Sequence, residues 1–155
     1  MSIAVKNNKK KKELNIYNRV DIRHKVNNKP CYELVFLLRS DMSSEDAIAM
    51  FEKIKAKIFS LQGYTQDVSY WGLRSLKYKI KRMKKAHFYC LHFTGSSGIY
   101  EDLGRFLRNN ASVLRFINIR IHSLPTEKSP ILVNLEKDVS DGIVVYDEKY
   151  IVNLN

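Results

Sequence analysis

Between Lys77 and Lys85 the chain sets six cations in nine positions: Lys77, Lys79, Lys81, Arg82, Lys84 and Lys85. Ammonium and guanidinium groups at this density suit phosphate, which they grip without reading bases. Lysines on an edge strand also discourage edge-to-edge pairing. That alternative accounts for the strand lysines more easily than for the cationic segment after them. Upstream, Arg74 follows Trp71-Gly72-Leu73 and shares a face with Leu76 and Tyr78, so it is either a rim ion-pair former or a specific RNA contact. A second block, Lys9-Lys10-Lys11-Lys12, repels itself and is expected to stay disordered until it meets a partner. It reads as a phosphate-binding arm or as a solubilising or targeting segment.

Catalysis finds little support. The chain has no glycine-rich phosphate loop, no Ser/His/Asp set in a recognisable context and no distinctive carboxylate pair. Arg39 follows the first strand, where an acylphosphatase-like enzyme carries a phosphate-cradling loop, but no glycine accompanies it. His87 and His92 fall on opposite faces of one strand and cannot jointly ligate a metal. Cys31 and Cys90 form neither a disulfide framework nor a zinc-ligand spacing. In apolar surroundings they act as small buried hydrophobes, as suits a reducing compartment. The expectation is a non-enzymatic protein without cofactor or metal.

Net charge is +11 and uneven. Residues 1–30 carry nine Lys/Arg against two Asp/Glu, residues 31–122 fifteen against eight, and residues 123–155 three against six. A basic arm and core attract polyanions, nucleic acid or a membrane surface, in a salt-dependent way. No apolar run approaches the roughly 18 residues of a membrane span. The first residues lack the apolar core of a secretory signal. Acidic residues are absent before Glu13, as in an organellar transit segment, yet the arm favours Lys and Asn over Arg and Ser.

The elements that must hold these groups follow from periodicity. Cys31–Leu38 is a nearly continuous apolar run, the pattern of a strand buried on both sides. Ser43, with Asp46 three residues on, caps a helix whose stripe is Ala47, Phe51, Ile54, Ile58 and Leu61; Lys53 and Lys57 lie off it, and Gly63 stops it. A strand from Thr65 to Lys81 is interrupted by a bulge at Trp71-Gly72, with Leu76, Tyr78 and Ile80 facing a core. Arg82–Lys85 forms a hairpin tip leading to a strand over His87–Phe93. Ser96-Ser97-Gly98 caps a second helix on the stripe Ile99, Leu103, Phe106 and Leu107, closed by Asn109-Asn110. Val113–Ile121 is the last strand, with Ile117, Ile119 and Ile121 opposite Phe116, Asn118 and Arg120. This β-α-β-β-α-β order predicts an α+β, ferredoxin-like fold: a four-stranded antiparallel sheet with both helices on one face. One such domain over 31–122 lies between a basic extension, 1–30, and a C-terminal extension, 123–155. In the latter Val144-Val145-Tyr146 is a candidate short strand, but the tail is expected to be extended and to order against a partner. An RNA-recognition motif shares this strand order. In Lys85-Ala86-His87-Phe88-Tyr89-Cys90-Leu91-His92, however, a bulky Phe88 stands at the small-residue position and no glycine is second.

Over Tyr32 to Ile121 the chain resembles the bacterial-type small-subunit ribosomal protein six family. The resemblance rests on Tyr32-Glu33-Leu34-Val35-Phe36-Leu37-Leu38-Arg39, Tyr70-Trp71-Gly72-Leu73-Arg74-Ser75-Leu76-Lys77-Tyr78-Lys79-Ile80, His87-Phe88-Tyr89 and Asn109-Asn110-Ala111-Ser112-Val113-Leu114-Arg115-Phe116, in order and at fitting spacing. Lys79 stands where many members have proline, about thirty residues precede the first strand, and Ser129-Pro130-Ile131-Leu132 is similar to a tail of alphaproteobacterial members. The resemblance implies a structural protein of the small ribosomal subunit, in a bacterial cytoplasm or a mitochondrial matrix. It further implies binding to the central domain of small-subunit ribosomal RNA as a heterodimer with ribosomal protein eighteen. Arg74 and the Lys77–Lys85 cluster are then the expected partner or RNA contacts, with Arg115 and Arg120 secondary. The rival is a free-standing RNA-binding module.

Overall fold

In the first strand, β1 (Cys31–Arg39), Tyr32, Leu34, Phe36 and Leu38 are buried, while the odd-numbered positions between them are only half-buried. A strand sealed on both sides was expected, but cover comes from one side alone, so the alternation shows through the apolar composition. This computed structural model describes residues 29–126, 144–145 and 148–151; the Lys9–Lys12 block lies outside the described residues.

Helix α1 (Ser44–Ser60) starts as its sequence requires, the Asp46 amide donating to Ser43 Oγ at 3.1 Å. It ends in a Schellman turn: the Gly63 amide donates to the Ile58 carbonyl and that of Gln62 to Phe59. The left-handed position belongs to Gln62 (φ 59°), not to the glycine. Gly63 is needed for room: a Cβ there would lie 2.5 Å from Ile99 Cδ1 and 2.9 Å from the Thr94 carbonyl.

Strands β2 (Tyr64–Ile80) and β3 (Met83–Thr94), helix α2 (Ile99–Arg108) and strand β4 (Val113–Ile121) follow. Helix α2 is capped within the expected Ser96-Ser97-Gly98 segment, by Gly98 and without a side-chain hydrogen bond. Every strand pair is antiparallel, and the sheet order is β4-β1-β3-β2-β5, where β5 is Val144–Val145. The four long strands and two helices make the ferredoxin-like α+β fold. Ala47, Phe51, Ile54 and Ile58 of α1 and Leu103 and Leu107 of α2 close over Leu34, Phe36, Tyr89, Leu91 and Phe93 of the sheet. Gly72 (φ 88°) sits where the β2–β3 register slips past Trp71, the expected bulge.

Two expectations fail here. The hairpin tip is the two-residue turn Lys81-Arg82, both at positive φ (46° and 70°), which places Lys84 and Lys85 in β3. Register then jumps from Ser75↔Lys85 to Ile80↔Met83, setting Leu76, Lys77, Tyr78 and Lys79 against Lys84 alone. Strict alternation cannot survive that mismatch, and Tyr78 is 65% exposed instead of facing a core. In the tail, the candidate strand forms over Val144–Val145, and the described residues order on this chain's own sheet and core rather than on a partner. Val144–Val145 pairs with Leu73–Arg74, and a 3-10 turn, Glu148–Tyr150, docks on the core. The Tyr150 hydroxyl donates to the Met42 carbonyl at 3.0 Å, and its carbonyl accepts from the Tyr89 hydroxyl at 3.0 Å. Its ring stacks on His87 at 4.2 Å. The sheet end bearing Tyr70, His87 and Tyr89 needs an aromatic cover, and the chain supplies its own.

Candidate nucleic-acid interface

The cationic hairpin is held firmly at its base and presented freely at its flanks. Lys81 Nζ donates to the Val113 carbonyl at 3.0 Å, tying the turn to the start of β4. Ser40 Oγ meets Met83 Sδ at 3.6 Å, tying the other side to the exit of β1. A two-residue turn with both φ values positive matches the right-handed twist of its strands. It normally takes Asn-Gly, and Lys-Arg accepts local strain there. Lys77, Lys79, Arg82, Lys84 and Lys85 are exposed around it, and Tyr78 stands among them. Tyr78 is an exposed aromatic that periodicity assigned to the core; only the register mismatch brings it out.

The other candidate cations spread along the sheet. Arg74 is half-buried, paired in register with Ala86 on one side and Val144 on the other. Arg115 is exposed at the hairpin end of the outer strand β4, opposite Leu37 on the face away from the helices. Arg120 lies opposite Tyr32, on the helix side and near the other end of β4, so it does not join the hairpin group. Arg39 Nε and Nη2 donate to the two Asp41 carboxylate oxygens at 2.9 and 2.6 Å. That hydrogen-bonded pair raises the guanidinium pKa and holds the carboxyl below its ordinary value.

The face away from the helices is divided. Along β1 and β4 it is apolar and open: Ile117 is 59% and Ile119 43% exposed, beside half-buried Val35 and Leu37. Alternation had grouped these isoleucines without indicating that their face is the uncovered one. Along β3 the same face carries Ala86, Phe88, Cys90, His92 and Thr94, all buried or half-buried. Among the described residues, β3 thus offers no exposed aromatic platform of the kind an RNA-recognition motif uses.

Within that face His92, buried to 6% exposure, bridges three strands. Its Nε2 is 3.1 Å from Glu33 Oε2 on β1, and its Nδ1 is 3.7 Å from Asp67 Oδ2 on β2. Cys90 Sγ lies 4.0 Å from the same Nε2. Burial opposes a charged ring, but the two neighbouring carboxylates, Asp67 and Glu33, outweigh it and raise the His92 pKa. Burial first, then the two carboxylates, pushes the Cys90 thiol up to about 12. His87, on the opposite face as expected, contacts the Tyr70 hydroxyl at 2.8 Å through Nδ1. The sequence signal for the His92 cluster is Cys90-Leu91-His92, which puts a thiol and an imidazole on one face; Glu33 could not be matched to them without the register.

A family model for Ribosomal protein S6 matches residues 31–120, from the first residue of β1 to the penultimate residue of β4. The chain belongs to the ribosomal protein S6 family. It is 36% identical over 107 residues to the small ribosomal subunit protein bS6 of Caulobacter sp. (strain K31), covering 69% of this chain and 85% of that one. With the bS6 of Rickettsia prowazekii (strain Madrid E) identity is 38% over 103 residues, covering 66% and 85%. The crystal structure of 30S ribosomal protein S6 from Thermotoga maritima shares the fold, with a TM-score of 0.58 at 20% identity over 74% of this chain and 98% of that one. Among the described residues no helix is long and apolar enough to cross a membrane.

Proposed function

We propose that this S6-family chain is a structural constituent of the small ribosomal subunit that binds the central domain of small-subunit ribosomal RNA together with ribosomal protein eighteen. The observation that carries the reading is the family match over the whole sheet-and-helix domain. The geometry supports a division of labour. The anchored hairpin, with Lys77, Lys79, Arg82, Lys84 and Lys85, and with Tyr78 as a stacking surface, takes the RNA backbone. The uncovered strip of Val35, Leu37, Ile117 and Ile119, rimmed by Arg115, takes the protein partner, because an exposed apolar patch bounded by charge is what an interface needs. Arg74, half-buried on β2 near that hairpin, adds a contact to the partner or the RNA. Lys9–Lys12 adds phosphate contacts from the N-terminal side. The protein acts without catalysis, in a ribosome of a bacterial cytoplasm or a mitochondrial matrix.

The test is affinity for a central-domain ribosomal RNA fragment, with and without ribosomal protein eighteen, across a salt series. Tight binding only with the partner, falling steeply with salt, is expected. Equal binding to any single strand without the partner would replace this reading with that of a free-standing RNA-binding module.

A further inference from the structure

We propose that Cys90, His92 and Glu33 form a zinc site on the sheet face away from the helices, with Asp67 orienting the histidine. The three donors come from two adjacent strands, and their ligand atoms all lie within 4.8 Å of one another. A thiolate, an imidazole and a carboxylate together select a borderline divalent ion: magnesium and calcium take oxygen-only sets, whereas zinc accepts all three donor types.

Two of the three edges are close to what the ion requires, and the third, between Cys90 and Glu33, lies within 4.8 Å and closes on binding. With Zn–N and Zn–O near 2.1 Å and Zn–S near 2.3 Å, a tetrahedral N···O edge is about 3.4 Å and an S···N edge about 3.6 Å. Glu33 Oε2 and His92 Nε2 stand 3.1 Å apart, and Cys90 Sγ and His92 Nε2 4.0 Å. The first edge must open and the second close, each by less than about 0.5 Å. Glu33, half-buried on a flexible stem, supplies the first adjustment, and rotation of the Cys90 thiol about χ1 supplies the second.

The second ring nitrogen strengthens the case. His92 Nδ1 is buried and makes no hydrogen bond, yet Asp67 Oδ2 stands 3.7 Å away on β2, across β3 from Glu33. A carboxylate behind the non-ligating nitrogen holds the proton on Nδ1 and turns the Nε2 lone pair toward a metal, the arrangement zinc-bound histidines commonly show. Charge also balances, since thiolate and Glu33 carboxylate neutralise a divalent ion. Water completes the four-coordinate shell. The bound ion would clip β1 to β3, with Asp67 joining β2, beneath the face that the apolar strip borders.

Cobalt(II) as a probe decides the matter in the full-length chain. Titration should give one equivalent bound, a thiolate-to-cobalt charge-transfer band and the visible bands of tetrahedral cobalt, all displaced by one equivalent of zinc. Folded wild-type protein without those bands would overturn the proposal. Cys90→Ser should abolish the charge-transfer band, and His92→Asn should weaken binding at least tenfold. Should Cys90→Ser fail to fold, Cys31→Ser settles the sulfur, because the chain has two cysteines. A band retained in Cys31→Ser leaves Cys90 as the donor, whereas a band lost there overturns the assignment.

Discussion

Replacing Lys77, Lys79, Arg82 and Lys84 together by glutamine tests the hairpin as the phosphate grip. All four are exposed, and none is needed for the hairpin's two anchors, which are Lys81 on the Val113 carbonyl and Ser40 on Met83. Glutamine at position 82 meets the same positive φ that arginine tolerates, so the turn is retained. Each phosphate contact contributes about 0.7–0.9 to the slope of log affinity against log salt, so losing four should flatten it by about 3 and, near 0.1 M salt, weaken binding roughly a thousandfold. The assay is filter binding or fluorescence anisotropy on the central-domain fragment with ribosomal protein eighteen present, at several salt concentrations, with circular dichroism confirming the fold. As a control, glutamine at Lys53 and Lys57 on α1 should change the slope by less than about 1. An unchanged slope in the hairpin variant would refute the argument: the cations would then merely protect an edge strand, and the RNA contacts would lie elsewhere.

Two stability predictions follow from packing. Gly63→Ala drives a Cβ against Ile99 Cδ1 and the Thr94 carbonyl, and the latter, being backbone, cannot swing aside. The loss should be about 1–3 kcal/mol, read as a lower urea midpoint at unchanged slope; an unshifted midpoint would mean that the Schellman turn has room to relax. Tyr150→Phe should cost about 1 kcal/mol through the hydrogen bond to Met42. Tyr150→Ala should cost about 2–3 kcal/mol, since the stacking on His87 goes as well. Equal midpoints for wild type and Tyr150→Ala would show that the tail does not seal the sheet.

Much of this architecture is local and was legible in the chain. The Ser43–Asp46 spacing caps α1 because a hydroxyl two atoms from the backbone reaches the third amide of a helix. Gly72 marks the β2 bulge because φ near 88° is strained for a side chain with a Cβ. Period-3.6 patterns put Phe51, Ile54 and Leu103 in one core. What stayed hidden depends on register between segments far apart. The pairing of Leu76–Lys79 against one residue exposes Tyr78, and only docking of the tail shows that Tyr150 belongs to the core. Glu33 and His92 are 59 residues apart, and nothing in either segment reports that their side chains meet. Periodicity assigns a residue to a face. Which face is covered, and what lies across from it, is decided when strands choose their partners.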